Sequence, residues 1–337
     1  MTYLENSKQY TGSDLENIFF RPMLTGESAQ DLGVRVLYNM PQPTHVQLWD
    51  GQRNILQKFT SAGWAGGKAA TKYEKTVNLN RVKAELGFSA ANYFSMVYEK
   101  VSSLVNTHMD DLSGTELEQA ETALFKQALA ENIRVTMWIG DTSAASGYNT
   151  FDGLLKRING LVDDDGVYNF SYQAAALEDP AYAVELFDKL WAGADPRIPG
   201  LKADDRLAYF VSSDIYRLYE KYLDAKGADA AYADAMNGRR TLAYHGIPVV
   251  DVRLGSYLGA TSFRQSFVML TDRRNLVLAV NTADMPGNEV RMWYNPDEME
   301  NRQRAVFMAG TQILDEALIS FASVSYTHLT LPTSDLV

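Results

Sequence analysis

The chain has 337 residues, and its 46% hydrophobic and 22% charged residues are typical of an ordinary soluble globular protein with two or three compact regions. It contains no cysteine, which excludes disulfides, thiolate zinc sites and cysteine nucleophiles. The formal net charge of −11 argues against a general nucleic-acid binder, because phosphate neutralisation needs basic residues. A protein that surrounds nucleic acid while repelling it stays compatible with this charge.

The sequence has no pattern typical of a membrane or secretory segment. No apolar run approaches the roughly 18 residues that a membrane span requires. Residues 1–5 lack the basic start and the apolar core of a signal peptide. These patterns predict a cytosolic protein.

Residues 1–44 are predicted to form an N-terminal arm. The arm carries short apolar clusters at 18–20 and 34–37 and is broken by turn-forming residues, which are Pro22, Gly26, Gly33, Pro41 and Pro43. A segment with this many breakers rarely closes its own core, so its apolar residues are expected to dock on another surface. An irregular layer over the same subunit is the open alternative.

Residues 45–80 are predicted to form an extended hairpin. Residues 45–49 and 73–79 alternate like strands, and the stretch 61–70 between them is rich in small residues. An exposed tryptophan on such a loop indicates contact with a partner. The predicted contact residues are Trp64, Gly66, Gly67 and Lys68. The alternative is a mobile loop that carries one exposed tryptophan.

Two helices are predicted to follow the hairpin. The first is capped by Ser89 and runs to about Val105. The second is a spine helix over residues 115–139, preceded by a capping box of Ser113 and Glu116. At 1.5 Å per residue it is on the order of 40 Å long. The apolar face of the first helix consists of Tyr93, Val97, Val101 and Leu104. The spine helix has two apolar stripes. One consists of Leu117, Ala120, Leu124 and Ala128, and the other of Phe125, Leu129, Ile133 and Met137.

The end of the spine helix is ambiguous in the sequence. Gly140 is a natural stop, because a residue just past a helix end often needs a positive φ. Residues 133–138, however, also alternate like a strand. The cap and both stripes favour one continuous helix.

The second half of the sequence mixes helices and strands. The acidic cluster at 163–166 lacks the spacing of a calcium loop and is predicted to be a solvated turn. Two helices are predicted, one opened by residues 178–180 and one capped by Ser212 or Ser213. Their expected core faces are Ala183, Leu186, Phe187 and Leu190, and then Ile215, Leu218, Tyr219 and Tyr222. The predicted strands are 207–211, the hairpins 241–250 and 267–280, and the strands 290–294 and 304–314. Because no regular βαβ rhythm appears, we expect an α+β fold.

Residues 324–337 resemble the translation of a transposon-type sequencing adapter. We expect them to be an assembly artefact, with the native C-terminus missing and the last native strand cut short. The segment is accordingly expected to be irregular from Val324 onward.

No catalytic, cofactor or metal site is predicted. The four histidines are His45, His108, His245 and His328, and no two of them have a metal-ligand spacing. The stretch 63–68 fails the phosphate-loop spacing, and no Gly-x-Ser-x-Gly elbow is present. A hydrolase built from scattered carboxylates stays open as an alternative.

Three motifs in this order carry a resemblance to a family. They are Trp138-Ile139-Gly140-Asp141 leading to Asp152-Gly153-Leu154-Leu155, Tyr209-Phe210-Val211-Ser212-Ser213 before a helix, and Leu242-Ala243-Tyr244-His245-Gly246-Ile247-Pro248-Val249-Val250. With the arm, hairpin and spine, the chain resembles the major capsid protein of tailed bacteriophages over residues 1–323. That family has the Hong Kong phage capsid fold, which it shares with encapsulins.

The resemblance implies a domain organisation. In family terms, the N-terminal arm is 1–44, the extended loop 45–80, the peripheral domain 81–165 with 285–323, and the axial domain 166–284, followed by the adapter-like 324–337. Some family members join subunits through a lysine–asparagine isopeptide bond. Lys68 and Lys72 lie in the corresponding loop, but no asparagine partner matches, so this chemistry is not transferred.

The resemblance also implies a function. We expect a structural, non-enzymatic subunit that assembles into an icosahedral shell around phage double-stranded DNA, without sequence-specific DNA binding. Expected partners are other copies of the chain in hexamers and pentamers, with scaffolding, portal and decoration proteins. The sequence carries no N-terminal scaffolding extension, so scaffolding is expected to be separate or dispensable. The expected location is the virion, after synthesis in the bacterial cytoplasm. An encapsulin-like compartment around a cargo enzyme is the first alternative, and the hydrolase is the second.

Overall fold

A computed structural model describes residues 8–10, 33–39, 44–49, 72–89, 116–162, 167–227, 242–255, 257, 266–281, 289–295, 297–298 and 300–325. Its helices are α1 (Glu116–Ile139), α2 (Leu154–Val162), α3 (Tyr182–Ala192), α4 (Ile198–Lys202) and α5 (Ser213–Ala225). Its strands are β1 (Lys8–Tyr10), β2 (Arg35–Tyr38), β3 (Thr44–Trp49), β4 (Lys72–Val77), β5 (Asn80–Ser89), β6 (Tyr168–Gln173), β7 (Leu207–Val211), β8 (Leu242–Tyr244), β9 (Ile247–Asp251), β10 (Phe267–Asp272), β11 (Leu276–Asn281), β12 (Glu289–Asn295), β13 (Glu300–Ile313) and β14 (Ile319–Ser325). The predicted α+β class is confirmed.

The first sheet, sheet 1, is built around the long strand β13. The strand order is β1-β12-β13-β11-β2, and β5 also pairs with β13. The residues of β13 that pair with β5 also pair with β12 or with β11, except Phe307. Because a strand has two edges, β5 lies along one edge of β13, and β12 and β11 follow each other along the other.

The second sheet, sheet 2, has the order β6-β14-β10-β7-β9-β8. Its central strands β7 and β10 are buried along their whole length. The predicted hairpin at 241–250 is confirmed as β8 and β9. Its two turn residues, His245 and Gly246, have φ of 49° and 79°, as a tight hairpin turn requires at both central positions.

The predicted hairpin at 267–280 is wrong. Strand β10 lies in sheet 2 and β11 lies in sheet 1, and the short 3₁₀ turn Arg273–Asn275 carries the chain from one sheet to the other. Asp272 caps this turn by accepting a hydrogen bond from the backbone N–H of Arg274 at 2.8 Å. Both strands are buried on both faces, so their sequence shows no alternation that would identify their partners.

A second crossing returns the chain from sheet 1 to sheet 2. It joins β13 to β14 through the 3₁₀ turn Glu316–Leu318. Strand pairing therefore departs from the predicted domain limits at two strands. Strand β11, from the predicted axial segment, pairs with β13, and β14 pairs with β6 and β10.

The predicted spine helix is confirmed as α1, and the strand alternative at 133–138 is wrong. Residues 133–140 are all buried, because this end of the helix lies against both sheets. The Trp138 ring lies 5.6 Å from that of Phe210 and 6.2 Å from that of Phe267, both in sheet 2. Arg134 and Thr136 are buried here together with their apolar neighbours, so this end of the helix has no single apolar face, which explains the ambiguous sequence pattern.

The residues described in the two predicted stripes of α1 differ in solvent exposure. The stripe Phe125, Leu129, Ile133 and Met137 is buried at 4% exposure or less. Leu124 of the other stripe is 38% exposed. The predicted cap Ser113 and the predicted helix at 90–105 lie outside the described residues.

Strand β5 was not predicted. Ser89, expected to cap a helix, is the last residue of this strand. The signal was present, because Val82, Ala84 and Leu86 alternate with charged residues. Strand β5 also shows that the body of the protein resumes at Asn80, directly after the hairpin.

The predicted core faces of α3 and α5 are largely confirmed. All four predicted residues of α3 are fully buried. In α5, Leu223 is buried where Tyr222 was expected, while the other three predicted residues are correct. Ser212 holds the N-cap position, but its hydroxyl donates to Asp214 at 2.5 Å and makes no cap hydrogen bond.

The expectation of irregular structure from Val324 is wrong for the first two residues. Val324 and Ser325 belong to β14, and Val324 is 2% exposed. Parallel pairing with β6 and the hydrogen bond from the Val324 N–H to the Ser266 carbonyl at 2.9 Å account for their order. Residues 326–337 lie outside the described residues.

Candidate assembly site

The predicted contact residues Trp64, Gly66, Gly67 and Lys68 lie outside the described residues, so their role stays a prediction. The strands on either side of them are described. Strands β3 and β4 form an antiparallel pair in register from Thr44 opposite Val77 to Trp49 opposite Lys72. This confirms the predicted hairpin strands, which join neither sheet 1 nor sheet 2.

The base of the hairpin packs on the body of the protein. Val77 and Leu79 are 0% and 4% exposed and contact the buried Ala279 of sheet 1. The partly buried Leu37, Val46 and Met308 complete this cluster. An isolated two-stranded hairpin is marginally stable in water, so burial at the base stabilises this one.

Polar contacts reinforce the base. Lys75 forms an ion pair with Glu316, in the crossing turn that leads to β14. The Gln312 side-chain amide donates to the Thr76 carbonyl at 2.7 Å. Between the two strands, His45 Nδ1 lies 2.8 Å from the Glu74 carboxylate, and both side chains are about half exposed.

Gly310 permits a close approach at the same place. A Cβ at this position would lie 2.2 Å from the Asn78 carbonyl oxygen, which is too short for any side chain. Sequence reasoning missed Gly310, Gln312 and Glu316. A glycine inside a strand pattern is a known signal of close backbone approach, and Gly310 carried that signal.

The motif at the end of α1 is explained by two facing glycines. The Gly153 N–H donates to the Gly140 carbonyl at 2.8 Å. A Cβ on Gly140 would lie 2.2 Å from the Phe151 carbonyl oxygen, and one on Gly153 would lie 2.5 Å from the Gly140 nitrogen. Gly140 is therefore required for close approach. The predicted positive φ is wrong.

Charged groups close the loop between the two glycines. Lys156 Nζ lies 2.7 Å from Asp141 and 2.6 Å from Asp152. Hydrogen bonds from Lys156 and Ser143 lower the pKa of Asp141 to about 2. Burial raises the pKa of Asp152, but hydrogen bonds from Lys156 and Thr142 outweigh it and leave that pKa below its ordinary value.

These lowered pKa values bear on the hydrolase alternative. A general acid needs a carboxyl pKa raised toward the working pH. Asp141 and Asp152 are brought together, but both are held as ionised acceptors of Lys156. Their geometry therefore fits a structural clamp that closes the loop after α1.

A surface cavity of about 270 Å³ lies beside the turn between β8 and β9. It is lined by Asp188, Trp191, Lys202, Tyr209, Tyr244, His245 and Ile247. Tyr244 donates to Asp188 at 2.6 Å, and burial together with this hydrogen bond raises the pKa of Tyr244. Burial also raises the pKa of Tyr209. Both phenols are thus kept neutral, which makes them poor bases or nucleophiles.

The described residues contain neither a candidate metal cluster nor a candidate membrane-spanning helix. In that part of the chain, no group of three or more histidines, aspartates or glutamates is arranged to hold a metal ion. None of its helices has the length and apolarity needed to cross a membrane.

Comparison with solved structures decides the fold. A chain of the structure of the satellite phage P4 procapsid including size determination (Sid) protein matches at a TM-score of 0.53 and 11% identity, with 88% of each chain covered. The chain has the tailed-phage major capsid fold. At 11% identity the similarity establishes the capsid fold and nothing finer.

Other structures with the capsid fold match less well. The capsid of a native GTA particle gives a TM-score of 0.47 at 13% identity, with 90% of this chain and 92% of that chain covered. The SrpI encapsulin complex of Synechococcus elongatus gives 0.45 at 9% identity, with 85% and 84% covered. No protein-family model and no curated protein matches the sequence.

Proposed function

We propose that the protein is a major capsid subunit that self-assembles into an icosahedral shell enclosing phage double-stranded DNA. The observation that carries the proposal is the capsid fold, shared with a chain of the P4 procapsid over 88% of both chains. The proposed role is structural and not enzymatic. The proposed partners are other copies of the chain in hexamers and pentamers, with scaffolding, portal and decoration proteins.

The described hairpin supports this proposal. It lies outside both sheets and is held only at its base among the described residues. Ordering a projecting segment costs conformational entropy, and contact with a neighbouring subunit would bury apolar surface that offsets this cost. In a closed symmetric assembly the same contact recurs at every equivalent interface.

The charge of the chain supports enclosure of DNA without tight binding. A net charge of −11 disfavours the counterion release that drives non-specific binding to phosphates. Packaged DNA would therefore stay free to leave the shell. The proposed location is the virion, after synthesis and assembly in the bacterial cytoplasm.

The proposal is tested by producing the full chain in bacteria, alone and together with the genes that neighbour its own. Sedimentation and electron microscopy of the purified product report assembly. We expect fast-sedimenting particles with icosahedral symmetry. If both preparations contain only monomers and small oligomers, the proposal is wrong.

The content of the natural particles separates a virion from an encapsulin-like compartment. Particles from the source would be treated with nuclease and then opened. Protected double-stranded DNA of uniform length supports the capsid. A protein cargo without DNA would make the chain a compartment shell protein instead.

A further inference from the structure

On the β4 side, the hairpin leaves the body at an elbow, formed by Val77, Asn78 and Leu79 between β4 and β5. Val77 and Leu79 are buried, and Asn78 between them is exposed. The two buried side chains insert into one cluster with Ala279. The elbow is thus fixed on the surface of sheet 1 by residues on both sides of the bend.

Strand β13 passes directly beneath the elbow. Gly310 leaves room for the Asn78 backbone, and a Cβ there would be 2.2 Å from the Asn78 oxygen and 3.2 Å from its carbonyl carbon. The contact is between backbones, so no side-chain rotation could relieve a larger residue. The height of the elbow above the sheet therefore depends on this glycine.

Two polar contacts set the tilt of the hairpin above the elbow. Gln312 donates to the Thr76 carbonyl at 2.7 Å and also accepts from Arg157 of α2 at 3.4 Å. Lys75 pairs with Glu316. Strand β4 is therefore held at two successive residues, by the side chain of Lys75 and by the backbone carbonyl of Thr76.

The turn that holds Lys75 is itself rigidly supported. The Asn275 side chain donates to the Asp315 carbonyl at 2.8 Å and accepts from the Asp315 N–H at 2.7 Å. Arg197 donates to the Asp315 carboxylate at 2.7 Å. Asn275 belongs to the other crossing between the sheets, so Glu316 projects from the point where the two crossings are tied together.

We propose that Gly310, Gln312 and the Lys75–Glu316 pair are positioning residues that aim the hairpin at the neighbouring subunit. Strand β4 has 6 residues and spans about 20 Å at about 3.3 Å per residue. A tilt of about 20° at the base would displace its far end by about 7 Å, which exceeds the tolerance of a packed interface. This inference rests on the proposed shell function and names the residues on which that function depends.

The first test measures the direction of the hairpin in the unassembled subunit. Because the chain has no cysteine, Glu74→Cys and Ala243→Cys introduce two labelling sites, both exposed, on the hairpin and on β8. A nitroxide spin label is attached to each cysteine, and double electron–electron resonance then gives the distance distribution between the two labels. We expect one narrow distribution in the parent, and a shift or broadening of several ångströms in Glu316→Gln combined with Gln312→Ala.

Matched controls exclude a general loss of structure. Glu185→Gln removes an exposed ion pair with Lys189, and Gln173→Ala replaces an exposed glutamine in β6. Neither should change the distance distribution. Lys75→Arg keeps the charge and should keep the parent distribution. The melting temperatures of all variants are compared. They should be similar, because an ion pair near the surface contributes little to stability.

The second test measures assembly by sedimentation. The double variant should lose most closed particles while its subunit melting temperature changes little. Gly310→Ala should also reduce the yield of closed particles, and it should lower the subunit melting temperature because the backbone must move; Gly160→Ala is its control, since nothing lies within 4 Å of a Cβ at Gly160. If Gly310→Ala fails to fold, the double variant still decides the result.

The outcomes separate this inference from the proposed function. An unchanged distance distribution in the double variant overturns the positioning role. A changed distribution with normal particles overturns its importance for assembly. If the parent forms no particles, the proposed function fails, and the positioning role is then decided by the distances alone.

Discussion

At the scale of single residues, the contacts that shape the molecule are close backbone approaches at glycine. Gly140 and Gly153 bring the end of α1 against the start of α2, and Gly310 brings β13 against the elbow of the hairpin. In each case a Cβ would lie 2.5 Å or less from a backbone atom. No side chain fits at these positions, so substituting these glycines tests how much the close backbone contacts stabilise the fold.

Gly140→Ala should destabilise the unassembled subunit strongly. Its Cβ would lie 2.2 Å from the Phe151 oxygen and 2.6 Å from the Thr136 oxygen, so the backbone must move. We expect a loss of about 3 kcal/mol in the free energy of unfolding, measured with urea. Gly160→Ala in α2 is the control and should be neutral or slightly stabilising. Equal stability of the two variants would contradict the packing argument.

The clamp around Lys156 predicts a pH dependence. The pKa of Asp141 falls to about 2 on folding, against an ordinary 3.8, so the folded state favours the ionised carboxylate. The stabilisation is complete above about pH 4 and is lost as pH falls from there toward 2. Asp141→Asn should cost about 1 to 2 kcal/mol at pH 7, allowing for solvent screening, and should flatten the acid side of the stability profile.

Urea unfolding of the subunit between pH 2 and pH 7 measures this effect. Asp205→Asn, at an exposed aspartate, removes the same charge and serves as the control. A parallel loss of stability at every pH in both variants would mean that net charge, and not the clamp, is responsible.

At the scale of elements, α1 has one packed stripe, while Leu124 of its other predicted stripe is exposed among the described residues. Phe125 is 1% exposed and its neighbour Leu124 is 38% exposed. Phe125→Ala should lower the free energy of unfolding by about 3 to 5 kcal/mol because it leaves a cavity in the core. Leu124→Ala should lower it by less than about 1 kcal/mol. Equal losses would show that a part of the chain outside the described residues packs on Leu124.

The loop of the hairpin predicts a separation of assembly from stability. Trp64→Ala should impair particle formation and leave the melting temperature of the unassembled subunit nearly unchanged. Interface anchors often cost about 2 kcal/mol or more when truncated, and a closed shell repeats each contact many times. Sedimentation and thermal melting measure the two effects. Trp191→Ala, in a side chain packed against the core, is the contrasting control and should lower the melting temperature.

Normal particles from Trp64→Ala would remove the anchor role. A large fall in subunit melting temperature would instead make Trp64 a core residue. Experiments can then separate two effects: the direction of the hairpin, which depends on Gln312 and Glu316, and the contact made by its loop.

At the scale of the whole molecule, two sheets share one core. One cluster contains Val82 and Ala305 of sheet 1, Phe210 and Phe267 of sheet 2, and Trp138 of α1 between them. Two short 3₁₀ turns among the described residues, Arg273–Asn275 and Glu316–Leu318, each carry the chain directly from one sheet to the other. The final strand β14 therefore inserts between β6 and β10 and completes sheet 2.

Truncation should locate the true end of the folded body. Removing residues 326–337 should change the melting temperature by no more than about 1 °C. Val324→Asp should be strongly destabilising, by about 3 kcal/mol or more, because it places an unpaired charge at a site that is 2% exposed. Thermal melting of both variants tests this. A loss of several degrees on truncation would assign residues 326–337 to the fold.

The local sequence determined the elements whose own pattern or cap specifies them. The buried stripe of α1, the apolar faces of α3 and α5, the turn at His245 and Gly246 and the strands of the extended hairpin all follow from patterns within short stretches of sequence. Short-range physics was sufficient for these elements. The capsid fold was indicated by the resemblance of the ordered motifs to a family.

The tertiary structure decided which strands meet. Strands β10 and β11 are apolar on both faces and separated by a turn, so nothing local distinguishes a hairpin from a crossing between two sheets. The hairpin base contacts residues that are more than 230 positions away in the sequence, and Gly310 is one of them. Gln312 and Thr76 are separated by 236 positions, and Lys75 and Glu316 by 241. Pairing at that distance depends on the free energy of the assembled core, which no local window of sequence contains.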